Sequence, residues 1–313
     1  MLTDRTDDRW RKHDTIACED ETPRSRVDGA RWRPAHLSVT WRGSLALDYS
    51  LRDGHTIVRD RHDGPLRVLR SLHPEVGVCH SVLVHPPGGL VGGDALTISV
   101  ALGEGAHALV TTPGATRFYR SIGSEASQSL EVTAECGSRL EWLPLETIAY
   151  SGCLASTRMR FNLAQGSEMI GWDVTALGLP ASARPFESGR LTQTIELPAR
   201  WLDHGTISAA DRRLLDSPLG WAGRRVLATM WFASGAALAG SRREELLAAA
   251  RAQIGGHPLR AMTGATAPHD DVVVVRALAE RVEPAMELMQ RIWRQWRSIA
   301  WSMAGTSPRI WST

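Results

Sequence analysis

The chain of 313 residues sets 36 Lys and Arg against 34 Asp and Glu, a formal net charge of +2, with 43% apolar and 22% charged residues. This is ordinary globular usage, far from the composition of a disordered chain. Lys12 is the sole lysine and the arginines are spread along the sequence, so the basic block expected of a nucleic-acid binder is missing.

Residues 1 to about 35 mix eight acidic with eight basic residues and only scattered apolar ones, which predicts a flexible arm. No apolar h-region follows its charged start, and no span of about 20 apolar residues occurs. Neither a secretory signal nor a membrane span is expected. Cys18, Cys79, Cys136 and Cys153 are far apart and form no C-x-x-C pair, as suits reduced thiols in the cytoplasm.

From Ala35 to about Leu197 short alternating or apolar runs are punctuated by Gly, Pro, Asn and Asp. Strands are predicted at 45–49, 96–100, 108–111, 130–133, 159–163 and 191–197, a mainly β pattern compatible with a sandwich, a barrel or a solenoid. The last third changes character. Strong helix formers after Ser241, placed as a cap, predict a helix over about 241–252, and a strand is expected at Asp271 to Arg276. A second helix, over about 283–302, starts near Pro284 and carries Met286, Met289, Ile292, Trp293 and Trp296 at intervals of three and four. That stripe reads as core more readily than as a partner groove. The C-terminal order is therefore strand, helix, two strands, helix.

Four segments can carry chemistry. The first, Cys79 to Asp94, holds Cys79, His80, His85 and the glycines of Pro86-Pro87-Gly88-Gly89-Leu90-Val91-Gly92-Gly93. Gly88 and Gly93 have phosphate-loop separation, but Asp94 stands where a Lys should meet the anion. The glycines read instead as turns and close packing. Thiolate, imidazole and carboxylate are competent ligands for nickel or zinc, although C-H-x4-H is no standard structural zinc spacing. Transient contact with a divalent ion is the expectation. The second segment, Thr111 to Ser121, interleaves Arg117 and Arg120 with Phe118 and Tyr119; Arg117, Tyr119 and Arg120 are interface candidates, against the plainer reading of a solvated strand. In the third and fourth, Glu141, Glu146 and Asp173 lie in mostly apolar sequence, where a charge needs a partner, a metal or water. There is no G-x-S-x-G elbow, H-E-x-x-H or helix-opening G-x-G-x-x-G. An enzyme has no positive support, and a metal-dependent hydrolase using Cys79, His80, His85 and Asp94 is the alternative.

In order and wording these segments resemble the UreD (UreH) family of urease accessory proteins. The resemblance covers about residue 36 to 313 and is carried by Gly64-Pro65-Leu66-Arg67-Val68, Cys79-His80 with His85 to Asp94, Thr112 to Ser121, Leu140-Glu141-Trp142-Leu143-Pro144, Gly171-Trp172-Asp173 and the ending Pro308 to Thr313. It implies one solenoid-like domain of stacked strands with a small C-terminal α/β portion, a maturation chaperone that binds apo-urease with UreF and the GTPase UreG. It also implies a path through which nickel passes in transit, with no stably bound cofactor. Asp94 is then the foremost path-lining candidate, followed by Asp173, by Asp203 of Trp201-Leu202-Asp203, and by Glu141 and Glu146. The chain departs from the family at Leu145, Leu179 and Ala183-Arg184, where Gln, Arg and Gly-Glu are usual.

Overall fold

A computed structural model describes residues 40–179 and 182–312; the arm expected over residues 1–35 lies outside them. In chain order the elements are strands β1 (Arg42–Arg52), β2 (His55–Asp63), β3 (Arg67–Val68), β4 (Leu72–Glu75), β5 (Val78–Val84), β6 (Ala95–Leu102) and β7 (His107–Thr111). Next come β8 (Thr116–Phe118), β9 (Ala126–Ala134), β10 (Arg139–Trp142), β11 (Thr147–Ala149), β12 (Cys153–Leu163) and β13 (Glu168–Leu177). Then follow β14 (Gly189–Leu197), β15 (Trp201–Ser208), helix α1 (Arg212–Asp216), β16 (Val226–Ser234), α2 (Gly240–Gly255), β17 (Thr263–His269), β18 (Val272–Ala279) and α3 (Val282–Trp301).

From β5 to β14 the chain passes back and forth between two facing sheets. The first has the order β15-β14-β12-β9-β6-β1-β2 and the second β17-β18-β16-β13-β10-β7-β5-β3. β1, β6, β9, β12 and β14 are parallel, as are β5, β7, β10 and β13. Each pass from one sheet to the other and back is one turn, and the result is a β-solenoid of about four turns. Of the architectures open to the alternating sequence, the solenoid is the one adopted.

Register holds the turns together. Leu45, Ile98, Leu130, Met159 and Ile195 stand opposite one another, as do Leu47, Val100, Val132 and Phe161. All are buried. Because side chains alternate across a strand, these residues fill the space between the sheets while Thr97, Ser129, Arg158 and Thr194, in register one residue away, occupy the outer face. β13 differs, being buried on both faces. Its outer face is covered by α3, whose stripe of Met286, Met289, Ile292, Trp293 and Trp296 is buried in a second apolar layer shared with α2.

The C-terminal order is strand, helix, two strands, helix, as expected, and the longer helices span 240–255 and 282–301. The cap at Ser241 is a correction: the N-cap is Ala239, with no side-chain cap bond. Tertiary anchors set the entry instead. Leu238 donates its amide to the Asp270 carbonyl, and Arg242 pairs with Glu168 and donates to the Ala300 carbonyl. No helix among the described residues is long and apolar enough to cross a membrane.

Candidate functional site

The four segments singled out in the sequence converge at one corner of the solenoid, where the chain passes from the second sheet back to the first. Leu90 bridges Phe118 in parallel, and β8 pairs with β11, which pairs with β13, so successive corners form a short ladder of their own. The glycines permit this stacking. A Cβ on Gly89 would lie 2.3 Å from the Tyr119 ring and 2.9 Å from the Arg117 carbonyl oxygen, and Gly93 has φ +99°, a region that favours glycine. Gly89→Ala is expected to cost about 1–3 kcal/mol of stability through overpacking, read as a lower midpoint in urea unfolding.

Beneath the corner is a cavity of about 360 Å³ between the sheets, lined by His85, Trp142, Thr157, Asp173 and apolar rungs such as Ile98 and Met159. The Trp142 indole nitrogen and the Thr157 hydroxyl are buried without a hydrogen-bond partner among the described residues. Polar atoms so placed call for a hydrogen-bonding partner such as water.

Asp173 projects from β13 into the same space. Its carboxylate accepts from the Gln193 amide at 2.6 Å and the Thr175 hydroxyl at 3.0 Å. Burial pushes its pKa up to about 6, against these two hydrogen bonds. Gln193 stands in register with Thr157 and Gln128, giving the first sheet an inward polar row. In the second sheet Asp173 is in register with Thr229 and Arg276, and Arg276 pairs with Asp203 of β15. Gln193, Asp203 and Arg276 line a second cavity of about 330 Å³. A belt of polar side chains therefore crosses the strands between the two cavities, from the buried Thr157 and Asp173 through Gln193 to the partly exposed Asp203–Arg276 pair.

The other expected residues are distributed differently. Asp94 is buried, and its two carboxylate oxygens accept from the backbone amides of Trp41 at 3.2 Å and Val91 at 2.9 Å, clamping the rim loop. Its negative charge opposes the downward shift that burial gives the His85 imidazole. Cys79 and His80 are neighbours on β5 and point to opposite faces. Cys79 is packed in the inner core, where burial pushes its thiol up; His80 bonds Glu75 at 3.2 Å on the outer side. The four residues of the hydrolase alternative are thus split between two faces and a rim. Among the described residues no three His, Cys, Asp or Glu side chains gather as a metal site.

Glu141 lies across the sheet from Asp173. Fully buried under α3, it accepts from His107 at 2.8 Å and the Trp293 indole at 2.6 Å and pairs with Arg297 at 3.0 Å. Glu146 is half-buried in the corner loop, with its backbone carbonyl accepting from the Thr116 amide. Of the interface candidates, Tyr119 packs on Tyr150, Arg117 lines the cavity and Arg120 alone is exposed. Gln193, Thr157 and Arg276 were not anticipated. Their signal was a polar residue at an inward position of an alternating strand, as Gln193 is between Leu191 and Ile195.

Residues 42–312 match the family model described as UreD urease accessory protein. The chain is similar to the urease accessory protein UreD of Polaromonas naphthalenivorans (strain CJ2), 54% identical over 275 residues that cover 88% of this chain and all of that protein. It is 56% identical, with the same coverage, to the urease accessory protein UreD of Paracidovorax citrulli (strain AAC00-1). The UreD of Leptothrix cholodnii (strain ATCC 51168 / LMG 8142 / SP-6) is 54% identical over 278 residues. The chain belongs to the UreD family of urease accessory proteins.

Proposed function

We propose that this chain acts in the cytoplasm as a scaffold of urease maturation, joining UreF, the GTPase UreG and apo-urease, and that nickel crosses it along the polar belt between the sheets. The observation that carries the path is the placement of Thr157, Asp173, Gln193 and Asp203 among apolar rungs, with a cavity on either side. Buried polar groups cost stability unless they are paired, and a core built for stability alone would be filled by aliphatic side chains at these positions. Oxygen donors lining a cavity suit a partly hydrated divalent cation. The cation is cargo: the described residues offer it no closed ligand set, so it is held weakly and passed on.

Within this reading Asp173 is the chief ion contact, because among the described residues no cationic side chain pairs with it, whereas Asp203 is paired with Arg276. His85 offers an imidazole on the cavity wall. Asp94 holds the rim that shapes the entrance. Arg120, exposed on the corner loop, is a contact for a partner protein.

Urease co-expressed with UreF and UreG, with and without this chain, tests the role. Nickel per urease active site and urea hydrolysis are expected to fall at least tenfold without it. Equal nickel loading in the two preparations would overturn the proposal. In the same system Asp173→Leu is expected to lower nickel loading while the variant still co-purifies with UreF.

A further inference from the structure

We propose that Gln193 is the gate of the belt: its carboxamide, held between Asp173 and Thr175, closes the passage between the two cavities, and a divalent cation opens it by taking the amide's place on Asp173. The gate rests on the reading of the belt as a nickel path. Asp173 lines the first cavity and Gln193 the second, so the 2.6 Å bond between them links the wall of one to the wall of the other. The Gln193 amide nitrogen also lies 3.2 Å from the Thr175 hydroxyl. A single side chain thus ties off both polar groups that β13 presents to the inside.

The chemistry of the carboxamide makes this closure responsive to a cation. The NH2 end is a donor and matches a bare carboxylate, while the carbonyl end is an acceptor and matches a cation. With a divalent ion on the Asp173 carboxylate, the NH2 end is repelled and rotation about the last side-chain torsion presents the carbonyl oxygen. That torsion is broad and low in barrier. The residue that closes the passage in the absence of the ion then becomes an oxygen ligand in its presence. Thr157 contributes from the first-cavity side. Its hydroxyl is in register with Gln193, buried, and without a partner among the described residues, so it can take over a hydrogen bond as the carboxamide turns. On the far side stands Asp203, one inward position along β15 from Gly205, which faces Gln193. Its pairing with Arg276 keeps that end electrically balanced, and an ion leaving Asp173 moves on without meeting a second unneutralised carboxylate that would retain it.

The test uses the full chain with apo-urease, UreF and UreG, with nickel chloride as probe and the initial rate of nickel incorporation as readout. Gln193→Ala removes the gate and is expected to raise that rate at least threefold. Gln193→Leu fills the position with an apolar group and is expected to lower it at least tenfold. Gln193→Glu places a second carboxylate against Asp173, and the purified variant is expected to retain nickel in equilibrium dialysis at least tenfold more tightly than the unaltered chain. A Leu variant running at the unaltered rate, or an Ala variant as slow as the Leu variant, would overturn the gate. Asp173→Leu separates the two levels: inactive Asp173→Leu with unaltered Gln193 variants removes the gate and leaves the path, while an unaltered rate in Asp173→Leu removes the path and the gate together. Near-ultraviolet circular dichroism and co-purification with UreF confirm folding. Should Gln193→Leu fail them, Gln193→Asn, whose carboxamide is one methylene too short for the bond to Asp173, takes its place and is expected to act as Ala does; a rate at or below the unaltered one would overturn the gate.

Discussion

Arg297→Ala is expected to destabilise the protein by about 3–5 kcal/mol, the cost of leaving a buried carboxylate without its counter-ion. The side chain is fully buried under α3 and bonds both oxygens of Glu75, at 2.8 and 3.2 Å, while pairing with Glu141 at 3.0 Å. Its cation also lies over the Trp293 ring at 5.2 Å. Truncation therefore strands two acids at once, one of them with no exposure at all. Removing both sides of the central pair is expected to be milder: Arg297→Met with Glu141→Gln recovers at least half of the loss, because the amide oxygen still accepts from the Trp293 indole while its NH2 end donates to the His107 ring nitrogen. Urea unfolding of the single and double variants checks this, and additive losses would show that the pair is not coupled. Glu75 adds an acid dependence. Burial raises its pKa, but hydrogen bonds from His80 and Arg297 outweigh burial and hold the carboxyl below its ordinary 4.5. A depressed carboxyl stabilises the fold above its unfolded value, so this contribution is complete above that pH and is lost as the pH falls further. In Arg297→Ala it shrinks.

Glu141 and Asp173 present the same signal, an acid inside apolar sequence, and differ in which face of the second sheet they occupy. Along β12 the alternation of buried and half-buried residues is clean, so inward positions can be counted off. Along β13 nearly every residue is buried, because α3 covers the outer face, and the period of two that would assign Asp173 inward is erased. The strands, the helices and the α3 stripe were legible because each is written in local periodicity. The parallel stacking of β1, β6, β9, β12 and β14 was legible only through family resemblance, since partners from 29 to 53 residues apart in sequence (Leu130 and Met159, Leu45 and Ile98) are chosen by the whole fold. Asp94 shows a further limit. Its position in a glycine-rich loop beside His85 suggested a ligand, and its oxygens turn out to bind backbone amides, a local role that no spacing rule distinguishes from coordination. Gln193 carried the opposite kind of signal, an ordinary polar residue in an ordinary strand, noticeable only once Leu191 and Ile195 are known to point inward.

Asp173→Asn is expected to separate stability from delivery. The carboxyl is buried with its pKa pushed up to about 6, from an ordinary 3.8, so folding disfavours the ionised form. For a raised acid the favourable contribution is fully present below the unfolded value and is lost as the pH rises through the folded one. Above about pH 6 the native protein therefore carries an ionised group that costs up to roughly 3 kcal/mol. Asparagine keeps an oxygen for the Gln193 amide and the Thr175 hydroxyl and removes the charge. The variant is expected to melt several degrees higher than the unaltered chain at pH 7.5, an advantage that narrows steadily as the pH is lowered from 6 toward 4. An equal melting temperature at pH 7.5 would show that the carboxylate is better solvated than its burial implies. The nickel readout is expected to move the other way, with loading of urease in the reconstituted system falling at least tenfold because the neutral amide no longer draws a divalent cation out of the first cavity. A single atom change that strengthens the fold and weakens delivery is the signature of a charge kept for transport. A side chain retained for structure would lose both together or neither.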